Sequence, residues 1–252
     1  MTELVHLVVE RGIATVTLDS PHNRNALSAQ LRSELLGHLD AACADDTVRV
    51  ILMTHAGNVF CSGMDLKEAS GGAVAGGEFP RILESIWSSP KPVVARLAGP
   101  ARAGGLGLVA AADIAVAADT VSFAFTEVRI GVVPAVISVT VLPRLLHRAA
   151  NELFLTGETF DATRAAAIGL INSAVPAEKL DEEVDRFTQM LALGGPNALA
   201  ATKSMLRASR PASMAEDLAQ MLELSGRYFG SEEGREGMAS FLEKRPASWV
   251  PQ

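Results

Sequence analysis

The sequence predicts an α/β core with parallel strands, followed by a helical C-terminal segment. Strand-like and helix-like stretches alternate up to about residue 117, and from about Val141 the periodicity is mainly helical. The order strand, strand, helix, strand, helix, strand is typical of helices packed on a parallel sheet. We therefore expect a core over residues 1–195. Residues 196–252 are expected to form helices that pack on the core or on a neighbouring subunit and take part in oligomerisation.

The first half of the chain predicts a strand pair, a helix and a further strand. Apolar alternation indicates the two strands, which flank a tight Arg11-Gly12 connection, and apolar residues at helical spacing from Leu31 to Ala42 indicate the helix. The predicted elements are the strands Leu4–Glu10 and Ile13–Asp19, the helix Ser28–Ala44 and the strand Val48–Thr54.

The second half begins after a Gly- and Ala-rich stretch, Gly71–Gly77, which is the best candidate for a mobile loop. Pro90 and Pro92 mark the start of a strand, and a short strand interrupts the later helices. The predicted elements are the helices Phe79–Ser88 and Ala103–Ala112, the strands Val93–Leu97, Ile114–Ala117 and Ile171–Val175, and two helices near Leu180–Leu191 and Met214–Ser225.

Composition and charge exclude several classes of protein. Of the 252 residues, 48% are hydrophobic and 20% charged, which is typical of globular proteins. No apolar run reaches the roughly 18 residues of a membrane helix, and the N-terminus lacks an export pattern, so a cytoplasmic location is expected. The net charge of −7 disfavours nucleic acid and anionic membranes as main partners. Cys43 and Cys61 lack the spacing of a metal site or a disulfide framework.

Three glycine-containing segments are candidates for a functional site: Val59–Leu66, Ala98–Leu108 and Phe123–Pro134. In the first two, glycines beside a predicted helix start leave backbone N–H groups unshielded by side chains. Such groups suit negative charge that develops on a carbonyl oxygen. Turn geometry alone is the alternative explanation for glycines at these junctions.

Two other motifs in the same residues are weaker. Gly105–Ala110 fits the GxGxxA form of a dinucleotide fingerprint, but Ala98–Gly104 separates it from the preceding strand. Ser62 lacks the glycine two residues earlier that a serine-hydrolase elbow requires, since Phe60 stands there. The sequence therefore favours neither a dinucleotide enzyme nor a serine hydrolase.

Read together, five motifs resemble the crotonase family of enoyl-CoA hydratases and isomerases. They are SPHNRNALS (20–28), FCSGMDL (60–66), AGPARAGGLGL (98–108), FTEVRIGVVPA (125–135) and SFLEKRPASW (240–249). The resemblance implies a crotonase-like spiral of ββα repeats with a C-terminal helical segment, assembled as a homotrimer or a dimer of trimers. It also implies an acyl-CoA substrate, with CoA as part of the thioester, no separate cofactor and no metal.

The family pattern also implies roles for individual residues. The backbone N–H groups of Ser62 and Gly104 would form the oxyanion hole, and Glu127 would do the proton chemistry. Positions matching the CoA-binding parts of the family are His22, Arg24, Ala26, Cys61, Met64, Asp65, Leu66, Phe241 and Lys244. Arg24 and Lys244, with Arg245, would supply the local positive charge that CoA needs.

The chain departs from the family pattern at one position. Many family hydratases carry two glutamates; the second matches Glu127, but Gly107 stands at the first. AGGLGL with EVRIGVVPAVIS resembles a subgroup that hydrates branched or substituted enoyl-CoAs and also has glycine there. A one-glutamate hydratase is therefore favoured. The alternatives are an enoyl-CoA isomerase and a non-catalytic acyl-CoA binder.

The acidic residues give the remaining expectations. Glu127 lies between apolar stretches, so partial burial should raise its pKa, in contrast to a glutamate on a strand edge at the surface. Asp65 is expected to cap the helix that follows it, and Asp113 to be structural. Candidates for a second acid are Glu68, Glu78 and Glu84.

Overall fold

The computed structural model describes residues 2–70, 77–207 and 213–248. The strands are β1 (Val5–Glu10), β2 (Ile13–Leu18), β3 (Val50–His55), β4 (Val93–Leu97), β5 (Ala101–Arg102), β6 (Ile114–Ala118), β7 (Ser122–Ala124), β8 (Phe160–Asp161) and β9 (Ser173–Val175). The helices are α1 (Ala29–Ala44), α2 (Leu66–Ser70), α3 (Glu78–Ser88), α4 (Gly104–Ala111), α5 (Ala135–Val141), α6 (His147–Thr156), α7 (Ala162–Ala167), α8 (Leu180–Ala192), α9 (Pro196–Arg207), α10 (Met214–Phe229) and α11 (Glu232–Glu243). The predicted mobile loop falls outside the described residues except for Gly77.

Two sheets organise the core. The larger has the order β1-β2-β3-β4-β6-β9, and every pair in it is parallel except the β1–β2 hairpin. The smaller has the order β5-β7-β8, with β5 parallel to β7. These three strands are only two or three residues long. The sequence analysis missed them because so short a strand leaves no periodic pattern.

A ββα unit recurs along the chain, as β1–β2–α1, β4–β5–α4 and β6–β7–α5. In the last two units the first strand joins the larger sheet and the second joins the smaller one. This recurrence confirms the predicted α/β architecture. It also brings the segments that follow β5 and β7 side by side, because those two strands are hydrogen-bonded neighbours.

The predicted elements of the core are present, with ends displaced by at most two residues. Ser28 is the cap of α1 rather than its first residue, and its hydroxyl accepts from the Leu31 N–H at 3.3 Å. The chain turns helical earlier than predicted, at Ala135 in α5. Glu127 begins a 3-10 turn, Glu127–Ile130, and does not lie on a strand edge.

The C-terminal helices pack on the body of their own chain. Helix α10 lies against α5 and α3, and α11 lies against α2 and the 3-10 turn Glu127–Ile130. The predicted role of residues 196–252 in trimers or hexamers stays a prediction. Within the described residues, every helix is too short or too polar to span a bilayer.

Asp113, at the start of β6, anchors α9 to this body. Its carboxylate lies 2.6 Å from Lys203 Nζ and 2.5 Å from an Arg207 guanidinium nitrogen. The Arg207 guanidinium also stacks 4.9 Å from the centre of the Trp87 ring. Burial lowers the pKa of Lys203 to about 8, and the negative charge of Asp113 opposes that shift. The structural role predicted for Asp113 is confirmed.

Replacing Asp113 with Asn should destabilise the fold, because two largely buried cations lose their counter-charge. We expect Asp113→Asn to lower the free energy of unfolding by about 3 kcal/mol, measured by denaturant titration. The exposed Asp119 offers a matched control, and Asp119→Asn should leave stability nearly unchanged. Equal stability of the two variants would contradict this role.

Candidate active site

One cavity of about 740 Å³ lies where the loops before α2 and α4, the 3-10 turn and the C-terminal helices meet. Most of the residues that the sequence analysis selected line it. They are His22, Arg24, Ala26, Ser62, Met64, Asp65, Leu66, Gly104, Glu127 and Phe241. The five motifs thus converge on one space, although they are spread over more than two hundred residues.

Two selected residues do not line the cavity. Cys61 is fully buried behind it, packed so closely on α4 that a Cβ on Gly105 would lie 2.9 Å from the Cys61 Cβ. Burial raises the pKa of this thiol to about 12. Lys244 caps the end of α11 in a left-handed conformation and lies outside the cavity wall. Arg245 is paired with Glu236 at 2.7 Å, so its charge is largely neutralised.

The two glycine-rich loops meet backbone to backbone. Gly63 has φ +93°, and a Cβ there would lie 2.9 Å from the Ala103 Cβ and 3.4 Å from the Gly104 nitrogen. A Cβ on Gly104 would lie 2.8 Å from Leu27 Cδ1. Ala103 itself adopts φ +46°, a strained conformation for a residue other than glycine. Gly63 therefore cannot be replaced without strain, and Gly104 packs against the Leu27 side chain, so turn geometry is not the whole reason for these residues.

The two predicted oxyanion donors differ in their hydrogen bonding. The Ser62 N–H donates to the Arg24 carbonyl oxygen at 3.2 Å, so it is already engaged. For the N–H groups of Met64 and Gly104, no acceptor exists among the residues that the structure describes. Both residues line the cavity. Ser62 was predicted from its position before Gly63 in the family pattern, which does not show that the remote Arg24 carbonyl accepts its N–H.

Glu127 is a buried carboxylate on the cavity wall. It is the first residue of the 3-10 turn, and Phe125, two residues earlier, packs against Phe154 with ring centres 4.4 Å apart. Burial raises the pKa of Glu127 to about 7, partly offset by a backbone hydrogen bond. Its Oε2 atom is buried without a hydrogen-bond partner in the described part of the chain. The predicted burial and raised pKa are confirmed.

None of the three candidates for a second acid lines the cavity. Glu68 Oε2 accepts from the Ala29 N–H at 2.8 Å, and Glu78 lies 3.5 Å from the Arg32 guanidinium. Asp65 does line the cavity, but its Oδ1 accepts from the Lys67 N–H at 3.0 Å and caps α2 as predicted. Of the two described carboxylates that line the cavity, Asp65 caps a helix, whereas the Oε2 atom of Glu127 makes no hydrogen bond.

The position of the absent first glutamate is filled by apolar packing. A Cβ on Gly107 would lie 2.7 Å from Ile137 Cγ2 and 3.4 Å from Leu83 Cδ2. The Thr140 hydroxyl donates to the Gly107 carbonyl at 3.2 Å. Helices α4 and α5 are thus in direct contact at this point, and an acidic side chain at position 107 has no room.

Several lining residues were missed by the sequence analysis. Three cations, Arg102, Lys67 and Arg129, line the cavity. The Arg102 guanidinium donates to the Ser122 carbonyl at 2.6 Å. Lys67 directly follows FCSGMDL and could have been included on that ground. Among the other lining residues, some lie within the quoted motifs but were not singled out: Val132, Val133, Val136, Ile137 and Leu242. Others belong to no motif: Phe79, Leu222, Ser225 and Phe229. Over the described ranges, no cluster of His, Cys, Asp and Glu could hold a metal ion.

Comparison with known proteins identifies the family. The family model described as enoyl-CoA hydratase/isomerase matches residues 9–252. This chain belongs to the enoyl-CoA hydratase/isomerase family. The match spans the core and the C-terminal helices, so it confirms the resemblance inferred from the five motifs.

Members of the enoyl-CoA hydratase/isomerase family align with the chain nearly end to end. A crystal structure of an enoyl-CoA hydratase from Mycobacterium avium is 44% identical with a TM-score of 0.89, covering 99% of this chain and 100% of that one. A Thermus thermophilus protein with the provisional name enoyl-CoA hydratase is 36% identical over 94% of this chain and 98% of its own. Carnitinyl-CoA dehydratase from Proteus mirabilis is 33% identical over 99% of both chains.

The buried charge of Glu127 should make stability depend on pH. Its folded pKa of about 7 exceeds the usual 4.5, so its contribution is fully present below that lower value and lost as pH rises through 7. At about pH 8 we expect Glu127→Gln to exceed the wild type in free energy of unfolding by about 3 kcal/mol. At about pH 4 the difference should vanish. Denaturant titrations at both pH values measure it. The exposed Glu10→Gln should match the wild type throughout, and a Glu127→Gln variant that does the same would contradict the assigned pKa.

Proposed function

We propose that this protein catalyses the reversible addition of water to the double bond of a 2-enoyl-CoA thioester. The observation behind the proposal is the unpartnered, buried Oε2 of Glu127 on the wall of the cavity. A buried polar atom without a partner is rare in folded proteins, and a ligand or a bound water is a common reason for one. A pKa of about 7 suits a group that must both take and give a proton near neutral pH.

The thioester oxygen would accept hydrogen bonds from the N–H groups of Gly104 and Met64. This pair replaces the combination of Gly104 and Ser62, because the Ser62 N–H is bound to Arg24. Each donor to a developing oxyanion contributes about 3 kcal/mol of transition-state stabilisation. Gly104 is also the first residue of α4, where the helix dipole favours negative charge.

One carboxylate is then enough for both proton transfers of the reaction. Ionised Glu127 takes a proton from water as the water oxygen bonds to the β-carbon, and the double-bond electrons move towards the thioester oxygen. The resulting enolate is held by the two N–H groups. Protonated Glu127 returns the proton to the α-carbon, which gives the 3-hydroxyacyl thioester and restores the carboxylate. One water molecule is consumed and no separate cofactor is required.

The names of two relatives support water as the reactant. One is an enoyl-CoA hydratase and another a carnitinyl-CoA dehydratase, and both names denote addition or loss of water. The lining residues support an apolar acyl group: Val132, Val133, Val136 and Ile137 form one side, and Leu222 and Phe229 face them from α10. An apolar lining suits the acyl groups of branched or substituted enoyl-CoAs. The subgroup that carries similar motifs acts on such substrates.

A cationic part of the wall supports CoA as the rest of the substrate. His22 and Arg24 line the cavity in the loop before α1, and Lys67 lines it from α2. The positive charges of Arg24 and Lys67 are local in a protein of net charge −7, as an anionic nucleotide requires. Phe241 adds an aromatic surface from α11.

Isomerisation of the double bond is the second candidate, and the packing at Gly107 favours it. With Ile137 where a first glutamate would project, one carboxylate remains, and proton transfer between the α- and γ-carbons needs only one. Absorbance of the conjugated enoyl thioester separates the reactions. Hydration removes the absorbance of a 2-enoyl-CoA, whereas isomerisation creates it from a 3-enoyl-CoA. Tight binding without either change would identify a non-catalytic binder.

Turnover should depend on Glu127 alone among the acidic residues near the cavity. We expect Glu127→Gln to lower kcat for 2-enoyl-CoA hydration at least about 100-fold, because the amide can neither take nor return the proton. Calorimetry should show that the variant still binds a saturated acyl-CoA. Glu68→Gln is the matched control, since its amide oxygen can still accept from Ala29, and it should keep turnover near the wild type. Wild-type turnover in Glu127→Gln would overturn the mechanism.

A further inference from the structure

Helix α11 comes into close backbone contact with the turn that holds Glu127. A Cβ on Gly237 would overlap the carbonyl group of Ile130, the last residue of that turn. A second contact lies beside it, because a Cβ on Gly131 would lie 2.7 Å from the Glu233 carbonyl oxygen. Two glycines, one on each partner, therefore permit this close approach.

The same helix also forms part of the cavity wall. Phe241 and Leu242, near the end of α11, line the cavity that Glu127 lines. At its start, the Ser231 hydroxyl accepts from the Gly234 N–H at 2.9 Å. Beyond its end, Glu236 holds Arg245 at 2.7 Å and accepts from the Ser248 N–H at 2.8 Å. Helix α11 is thus capped at its start, bonded to the segment after its end, and packed on the Glu127 turn between them.

We infer that Gly237 is a positioning residue: by admitting α11 into backbone contact with Ile130, it fixes the Glu127 turn and keeps the carboxylate buried beside the substrate. The inference rests on the proposed function of Glu127 and adds a residue that never touches the substrate. A methyl group at position 237 forces α11 and the turn apart, since the atoms it meets belong to rigid backbone. Glu127 then gains water and loses its fixed place.

Gly237→Ala tests this, with Gly226→Ala as the matched control. Gly226 lies inside α10, and a Cβ there would meet nothing within 4 Å. Both changes replace a helical glycine by alanine, so they share the same effect on helix propensity. Melting temperatures measured for both variants show whether each is folded.

Kinetics should distinguish the two variants. In Gly237→Ala we expect kcat to fall about tenfold or more, as displacement of a reacting group by a fraction of an ångström allows. The midpoint of the pH–kcat profile should move down by about one unit or more, because a hydrated carboxyl titrates nearer its usual value. Affinity for a saturated acyl-CoA should change less than about threefold, which separates placement from binding. Equal kcat and equal midpoint in the two alanine variants would overturn the inference.

Hydrogen exchange gives a readout that requires no turnover. Amides of 127–131 should exchange faster in Gly237→Ala than in Gly226→Ala, and unchanged exchange there would count against positioning. If Gly237→Ala does not fold, the wild type decides: peptides 127–131 and 232–243 should open together and gain protection together with a saturated acyl-CoA. Independent opening of these peptides would overturn the inference. A wild type that neither hydrates nor isomerises enoyl-CoA would refute the proposed function and leave this readout intact.

Discussion

The backbone contact between the loop at Gly63 and the start of α4 is the constraint on which the cavity depends. A Cβ on Gly63 would collide with Ala103 of the opposite loop and would be strained at φ +93°, so this close approach requires glycine at position 63. The contact persists although Ala103 adopts a strained positive φ, which costs on the order of 1–3 kcal/mol. Every residue of α4 is buried, and this packing holds the strained junction in place. Two backbone N–H groups thereby reach one cavity.

Close packing also decides the number of carboxylates. Gly107 belongs to the contact between α4 and α5, and Ile137 occupies the space that an acid at that position would need. On the other side, α11 presses on the turn of Glu127. Within the described part of the chain, these contacts leave a cavity with one buried, unpartnered acid and a largely apolar wall. Which reaction such a site favours depends on whether water or a substrate carbon lies next to Glu127.

Much of this could be predicted from the sequence, and the failures share a physical cause. Periodicity placed α1, α3 and most strands, and the motif glycines marked the two loops that meet. Burial of Glu127 followed from its apolar neighbours in the chain. The sequence did not show that the Ser62 N–H is bound by the Arg24 carbonyl, because this is a tertiary contact between remote loops. Cys61 and Lys244 lie beside cavity residues in sequence, but Cys61 is buried behind the cavity and Lys244 caps α11 outside its wall. The contact of Gly237 with Ile130 joins residues more than a hundred positions apart.

The central claim is that Glu127 is a buried carboxylate that can act as both acid and base. An infrared titration of Glu127 tests this claim most directly. The difference spectrum between the wild type and Glu127→Gln isolates the C=O stretch of the protonated carboxyl group. Its pKa of about 7 predicts that the band persists through mildly acidic pH and disappears with a midpoint near neutrality. A midpoint near the usual glutamate value of 4.5 would contradict it, because Glu127 would then be a solvated carboxylate with little capacity to return a proton.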